Sequence, residues 1–215
     1  MNGDDNTAKD ILRDNLANDE FDADVFSKYF HTLIDLKELI EAEKLLDNYK
    51  AEIIQTYEYK LRRILLEAQG NYAEAILMID KVIELGGKDN ISIRSYLLLR
   101  DGQYQKAKNV CQNYLETVNF SQEASTETVN YELARKHLDL KPDNKRLDKL
   151  LTFDSSERTK AAMCALKDHK KDALDHIKNI LRTDKTFRFE AKSWPVFNSI
   201  RQDPLFTSLI KHEKN

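Results

Sequence analysis

Gly70-Asn71-Tyr72-Ala73-Glu74-Ala75 and Gly102-Gln103-Tyr104-Gln105-Lys106-Ala107 repeat one spacing, and Leu39-Ile40-Glu41-Ala42 carries a degenerate copy of it. Each stretch follows one amphipathic run and opens another, which predicts a helical hairpin repeated along the chain. The alanines Ala42, Ala75 and Ala107 lie 33 and 32 residues apart, near the period of about 34 typical of stacked helix pairs.

Composition agrees with helix throughout. Among 215 residues, 41% are hydrophobic, enough for a folded core, and only five glycines and three prolines are present. So few turn formers leave little room for hairpins of strands. The formal charge of −3 comes from 34 basic and 37 acidic residues, which implies neither a duplex-wrapping basic surface nor an extreme acidic mimic. Locally, Asp4 to Asp24 is mostly acidic, whereas Arg135 to Lys149 and Lys167 to Lys185 lean basic. Cys111 and Cys164 lie among apolar helix positions and not in a CxxC pair, so buried free thiols are expected. The start Met1-Asn2-Gly3-Asp4-Asp5 has no basic or apolar signal character, and no later run approaches the roughly 18 apolar residues of a membrane span. A cytoplasmic protein without a membrane partner is expected.

Outward from the two glycine stretches, the periodicity predicts an N-terminal helix within 1–20 (Ile11, Leu12 and Leu16 on one face) and three hairpins within 21–117. The first carries Phe26, Phe30, Leu33 and Ile34, then Leu39, Ala42, Leu45, Leu46 and Tyr49. The second carries Ile54, Tyr59, Leu61, Leu65 and Leu66, then Ala75, Ile76, Ile79, Val82 and Ile83, stopped by Gly86-Gly87. The third, capped by Asp89-Asn90, carries Ile91, Ser95 and Leu98, then Ala107, Cys111 and Tyr114. Residues 118–155 read as an irregular repeat or linker: a loop through Asn119 to Glu123, a helix from Thr126 to Leu138, and a short helix capped by Asp143 with Leu147, Leu150 and Leu151. A last hairpin spans 156–186, with Ala161, Ala162, Ala165, Ala173, Ile177 and Ile180 inward, and 187–215 forms a C-terminal cap.

These residues resemble bacterial tetratricopeptide repeat (TPR) proteins, most strongly over Thr56 to Thr117. Tyr59 stands in the family's aromatic position, and Gly70-Asn71-Tyr72 with Ala75 forms its turn and second-helix start. There alanine lets the helices cross closely and tyrosine fills the gap between hairpins. The small residue expected midway along the first helix is Ser95 in the third unit and Ala161 in the last, but Arg63 and Phe30 stand there in the second and first. The closing proline is missing from all. Trp194-Pro195-Val196-Phe197-Asn198-Ser199-Ile200-Arg201-Gln202-Asp203-Pro204-Leu205-Phe206 is similar to the segment that closes many bacterial TPR arrays. The resemblance implies an all-α fold, a right-handed α-solenoid of antiparallel helix hairpins, irregular at both ends, in one domain over 1–215.

The resemblance also implies a protein or peptide partner on the concave face lined by first helices: Ser27, His31, Lys60, Ile64, Tyr96 and Arg100. Lys60 and Arg100 could pair a carboxylate, and Ile64 and Tyr96 could hold an apolar side chain. The family's carboxylate clamp uses asparagines where His31, Ile64 and Tyr96 stand, which argues against a heat-shock cochaperone. A chaperone-like or neutralising partner of another protein fits the class. No nucleotide-binding glycine loop, HExxH, GxSxG or CxxC motif is present, so no catalytic residue, cofactor or metal is expected. His169 and His176 share spacing but have no third ligand. The alternative is nucleic-acid association through Arg135, Lys136, Lys141, Lys145, Arg146 and Lys149, within 135–149.

Overall fold

A computed structural model describes residues 2–18, 20–118 and 124–211, and every regular element among them is helical. The chain divides into two compact units, residues 1–89 and 90–215. The expected loop at Asn119 to Glu123 lies outside the described residues, as do residues 212–215 of the expected cap.

Unit 1 comprises α1 (Asn2–Asn18), α2 (Ala23–Leu36), α3 (Leu39–Asn48), α4 (Gln55–Gln69) and α5 (Tyr72–Glu84), each packed on the next. Asp22 starts α2 by accepting from the backbone N–H groups of Asp24 and Val25 at 2.7 and 3.0 Å, the usual N-cap geometry. Phe26, Phe30, Leu33, Leu46 and Leu61 are fully buried in its core, with Leu12 and Leu16 of α1 packed among them. Three expected inward residues are corrected. Ile11 and Ile54 are exposed, with Ile53 buried instead of Ile54, because the chain enters α4 extended at Ile54 and the helix phase starts one residue later than the apolar run. Ile83, at the end of α5, is also exposed.

Unit 2 comprises α6 (Ile91–Arg100), α7 (Tyr104–Thr117), α8 (Ser125–His137), α9 (Asn144–Phe153), α10 (Glu157–Leu166), α11 (Lys170–Thr183), α12 (Phe187–Ser193), a 3₁₀ segment (Pro195–Ile200) and α13 (Pro204–Ile210). Asn90, Asp143, Ser156 and Asp203 each accept a first-turn N–H with their side chains, so four of these helices begin at the caps the sequence offers. Helix α8 packs on both α6 and α7, and α10 on both α8 and α9.

Four hairpin turns, two in each unit, are alike at the level of single hydrogen bonds. Lys37, Gly70, Gly102 and Asp168 adopt φ of 65°, 82°, 75° and 60°. The following N–H then closes on the carbonyl five residues back: Glu38 on Leu33 (2.9 Å), Asn71 on Leu66 (2.8 Å), Gln103 on Leu98 (2.9 Å) and His169 on Cys164 (2.8 Å). This closure satisfies a carbonyl that the ending helix would leave unpaired. Five residues beyond each left-handed residue stands an alanine with no solvent exposure: Ala42, Ala75, Ala107 and Ala173. Asp139 (φ 55°) ends α8 in the same way, with Leu140 N–H on Arg135 O at 3.0 Å.

Among the described residues no helix is long and apolar enough to cross a membrane. A side chain at positive φ costs about 1–2 kcal/mol that glycine avoids. Lys37→Gly is therefore expected to stabilise the chain by about 1 kcal/mol and Gly102→Ala to destabilise it by about as much. Urea unfolding followed by far-ultraviolet circular dichroism measures both, and shifts of the same sign would refute this account of the turns.

Candidate functional site

Helix α8 lies within a residue of the helix expected from Thr126 to Leu138, but nothing in the sequence marks how deeply it is buried. Its sequence is mostly polar, yet nine of its residues are buried, among them Ser125, Glu127, Thr128, Asn130 and Glu132. Burial on all sides abolishes the amphipathic signature, and most of the buried polar groups are hydrogen-bonded to neighbouring elements instead. Ser92 donates its hydroxyl to Glu127 Oε1. Asn130 Nδ2 donates to Ser95 Oγ at 2.9 Å, and Asn130 Oδ1 accepts from Trp194 Nε1 at 3.1 Å. One asparagine thus ties the first helix of the unit to its C-terminal segment. Glu132 Oε2 accepts from Asp143 N–H at 3.1 Å, which pins the start of α9. Glu127 Oε2 and Glu132 Oε1 are buried with no hydrogen-bond partner among the described residues.

Beside α8 lies a cleft of about 600 Å³, lined by the first turns of α8 and α10, the last turn of α11, and Trp194. Its apolar wall is Val129, Ile180 and Trp194; its polar wall includes Asp154, Glu157, Arg158 and Asp184. Asp154 accepts from Ser156 N–H (3.0 Å) and the Thr159 hydroxyl (2.5 Å). Burial alone would raise its pKa, but those bonds and one from Ser125 outweigh it and hold the carboxyl below the ordinary aspartate range. Glu157 is brought down to about 2 by His176, then Asn179 and Lys160. His176 Nδ1 stands 2.8 Å from its Oε2. Asp184 is lowered mainly by the Thr186 hydroxyl. All three carboxylates are therefore ionised at neutral pH. Arg158 turns to Glu190 and covers the Phe187 ring at 5.4 Å.

The six residues expected to hold a partner fall in both units. Ser27 and His31 are one turn apart on α2, and Lys60 and Ile64 one turn apart on α4. His31 and Lys60 are exposed, while Ser27 accepts from the Tyr57 hydroxyl at 2.9 Å and Ile64 packs against the unit 1 core. Tyr96 and Arg100 are one turn apart on α6, where the guanidinium donates to the Tyr96 hydroxyl (3.2 Å) and to Ser193 O (3.0 Å). Of the cleft residues, the sequence marks Ile180 as an inward position of the last hairpin and Trp194 as part of the closing segment, and none as a binding residue. The polar wall leaves only the Asp154-Ser155-Ser156-Glu157 capping pattern as a trace, which reads equally well as a plain helix start.

Much of the basic stretch works within unit 2. Arg135 donates to Lys141 O at 2.5 Å and lies beside Glu132, and with Arg146 it flanks the Tyr131 ring, at 5.5 and 4.5 Å. Lys136 donates to Leu166 O (2.9 Å) and Asp168 (2.7 Å). Lys141 and Lys145 are exposed. Both cysteines are free thiols; burial pushes Cys111 up to about 12, whereas Cys164 is only half-buried, its expected full burial corrected by its place on the flank of α10. Among the described residues no group of three or more His, Cys, Asp or Glu could hold a metal.

Compared with known proteins, the chain matches no protein-family model and no curated protein sequence.

Two measurements probe α8. Asn130→Ala removes the partner of a buried indole N–H and of Ser95, an expected loss of about 2–3 kcal/mol. Trp194, the sole tryptophan, should then shift its emission to the red; an unchanged spectrum and midpoint would refute the tie. Burial raises the Glu132 carboxyl above its ordinary value of 4.5 despite Asp143 N–H and Arg135. Over that window the folded state keeps a proton the unfolded chain releases, so stability falls as pH rises through it. Glu132→Gln should flatten that fall in urea titrations run from about pH 4.5 upward, and an unaltered slope would sink the assignment.

Proposed function

We propose that the chain is a helical-repeat interaction module of the tetratricopeptide type, a right-handed α-solenoid that binds a protein or peptide in the cytoplasm without catalysing a reaction. The observation that carries this reading is the four-fold recurrence of one turn, with its left-handed residue, its closure and its buried alanine five residues on. The packing of α8 on α6 and α7, and of α10 on α8 and α9, adds support, because a solenoid stacks each helix pair on the one before. Stacked helix pairs offer a partner of standard size the roughly 800 Å² that it needs on each side. The binding surfaces are the unit 2 cleft and, on unit 1, the first-helix residues Ser27, His31, Lys60 and Ile64. A chaperone-like or neutralising partner of another protein suits such a module. The internal duties of Arg135, Lys136 and Arg146 weaken the nucleic-acid alternative.

A photo-crosslinking side chain placed at Thr126, exposed on the cleft rim, tests the reading in the native cell. One protein should be captured there in near-stoichiometric yield, and not from the same group placed at Glu116, an exposed α7 position. Equal labelling from both positions, or none from either, would count against an interaction module.

A further inference from the structure

We infer that the unit 2 cleft receives a basic side chain, lysine or arginine, projecting from the partner segment. This rests on the interaction-module reading and gives its ligand a chemistry. The cleft, at about 600 Å³, is within the range of roughly 300–1,000 Å³ usual for ligand pockets. It is large enough for a long side chain with a short piece of backbone.

Two helix starts open on the cleft, α8 at Ser125 and α10 at Glu157. Left empty, such a meeting of positive helix ends would favour an anion. Here the anion is built in. Asp154, buried between them, accepts from Ser156 N–H and Thr159 of the α10 start and from Ser125 of the α8 start. Glu157 and Asp184 add two more carboxylates to the wall, Glu157 shared with Lys160 at 3.1 Å and His176 at 2.8 Å, and the one lining cation, Arg158, is bound to Glu190.

The sign is local. Residues 90–215 carry 23 Lys and Arg against 17 Asp and Glu, a formal +6, so the cleft is a negative concavity in a positive unit. Val129, Ile180 and the Trp194 ring supply the apolar wall that the methylene stem of lysine or arginine covers while its charged head meets the carboxylates. The Trp194–Asn130 bond holds that ring in place.

Display of a random twelve-residue peptide library against the full chain, followed by fluorescence titration of the selected peptides through Trp194, tests the inference. Lysine or arginine should be enriched in the selected set. Thr126→Lys, on the exposed rim, should weaken those peptides about three- to tenfold and Thr126→Glu should tighten them, since the two change the charge of the same lining position in opposite directions. Circular dichroism checks that both variants stay folded. Selection of neutral or acidic peptides, or affinities indifferent to the charge at Thr126, would overturn the basic-side-chain inference and leave the interaction module standing. Selection of no peptide at all would overturn both.

Discussion

Each hairpin depends on a turn that reverses the chain in one left-handed residue and then buries a bare methyl group five residues on. An alanine five residues beyond the turn lets the axes approach, and any larger side chain there would have to displace a packed neighbour. The two parts are coupled. The closure at Leu33, Leu66, Leu98 and Cys164 fixes where the second helix begins, and the phase so fixed turns Ala42, Ala75, Ala107 and Ala173 inward. A turn one residue longer would rotate the second helix by about 100° and bring a different side chain to the crossing.

That coupling explains which turns could be read from the residues. Gly70 and Gly102 advertise positive φ because glycine adopts it without strain. Lys37 and Asp168 hold nearly the same φ with side chains that give no such signal, so only their alanines marked the hairpins. The α8–α9 pair is legible as two helices, the second capped by Asp143, but not as a further copy of the repeated turn. Its left-handed residue is Asp139, no alanine follows at the matching place, and Lys141-Pro142 lengthens the connection. Periodicity also fails for α8 in principle, since a helix enclosed on every side has no polar face to contrast with an apolar one.

The buried polar residues of α8 make a second constraint. An apolar core tolerates sliding and rotation of helices at modest cost, whereas Asn130 must meet Ser95 and Trp194 at once and Glu127 must meet Ser92. Any shift that breaks one of these leaves a desolvated donor or acceptor, so the network penalises alternative registers more than it stabilises the native one. Ser95 and Asn130 are 35 residues apart, as are Ser92 and Glu127. The same offset recurs because both pairs cross between the same two helices, α6 and α8. The sequence shows Ser95 as a small residue at a repeat position. Its role as acceptor for a buried asparagine becomes visible only when α8 is seen beside α6.

Charge gives the same lesson about scale. The formal −3 of the whole chain is the residue of a cancellation: residues 1–89 hold 11 Lys and Arg against 20 Asp and Glu, a formal −9, set against the +6 of residues 90–215. Composition therefore excluded strongly charged surfaces on the basis of a sum that neither unit obeys. Inside unit 2 the sign reverses again at the cleft, and what decides it is the burial of Asp154 where two helix starts meet. An alanine at that position would leave the Ser125 and Thr159 hydroxyls and the Ser156 N–H without their acceptor, and only the carboxylates of Glu157 and Asp184 would remain in the wall. The sign of the cleft thus depends on one carboxylate that is almost wholly enclosed, beside those on its rim.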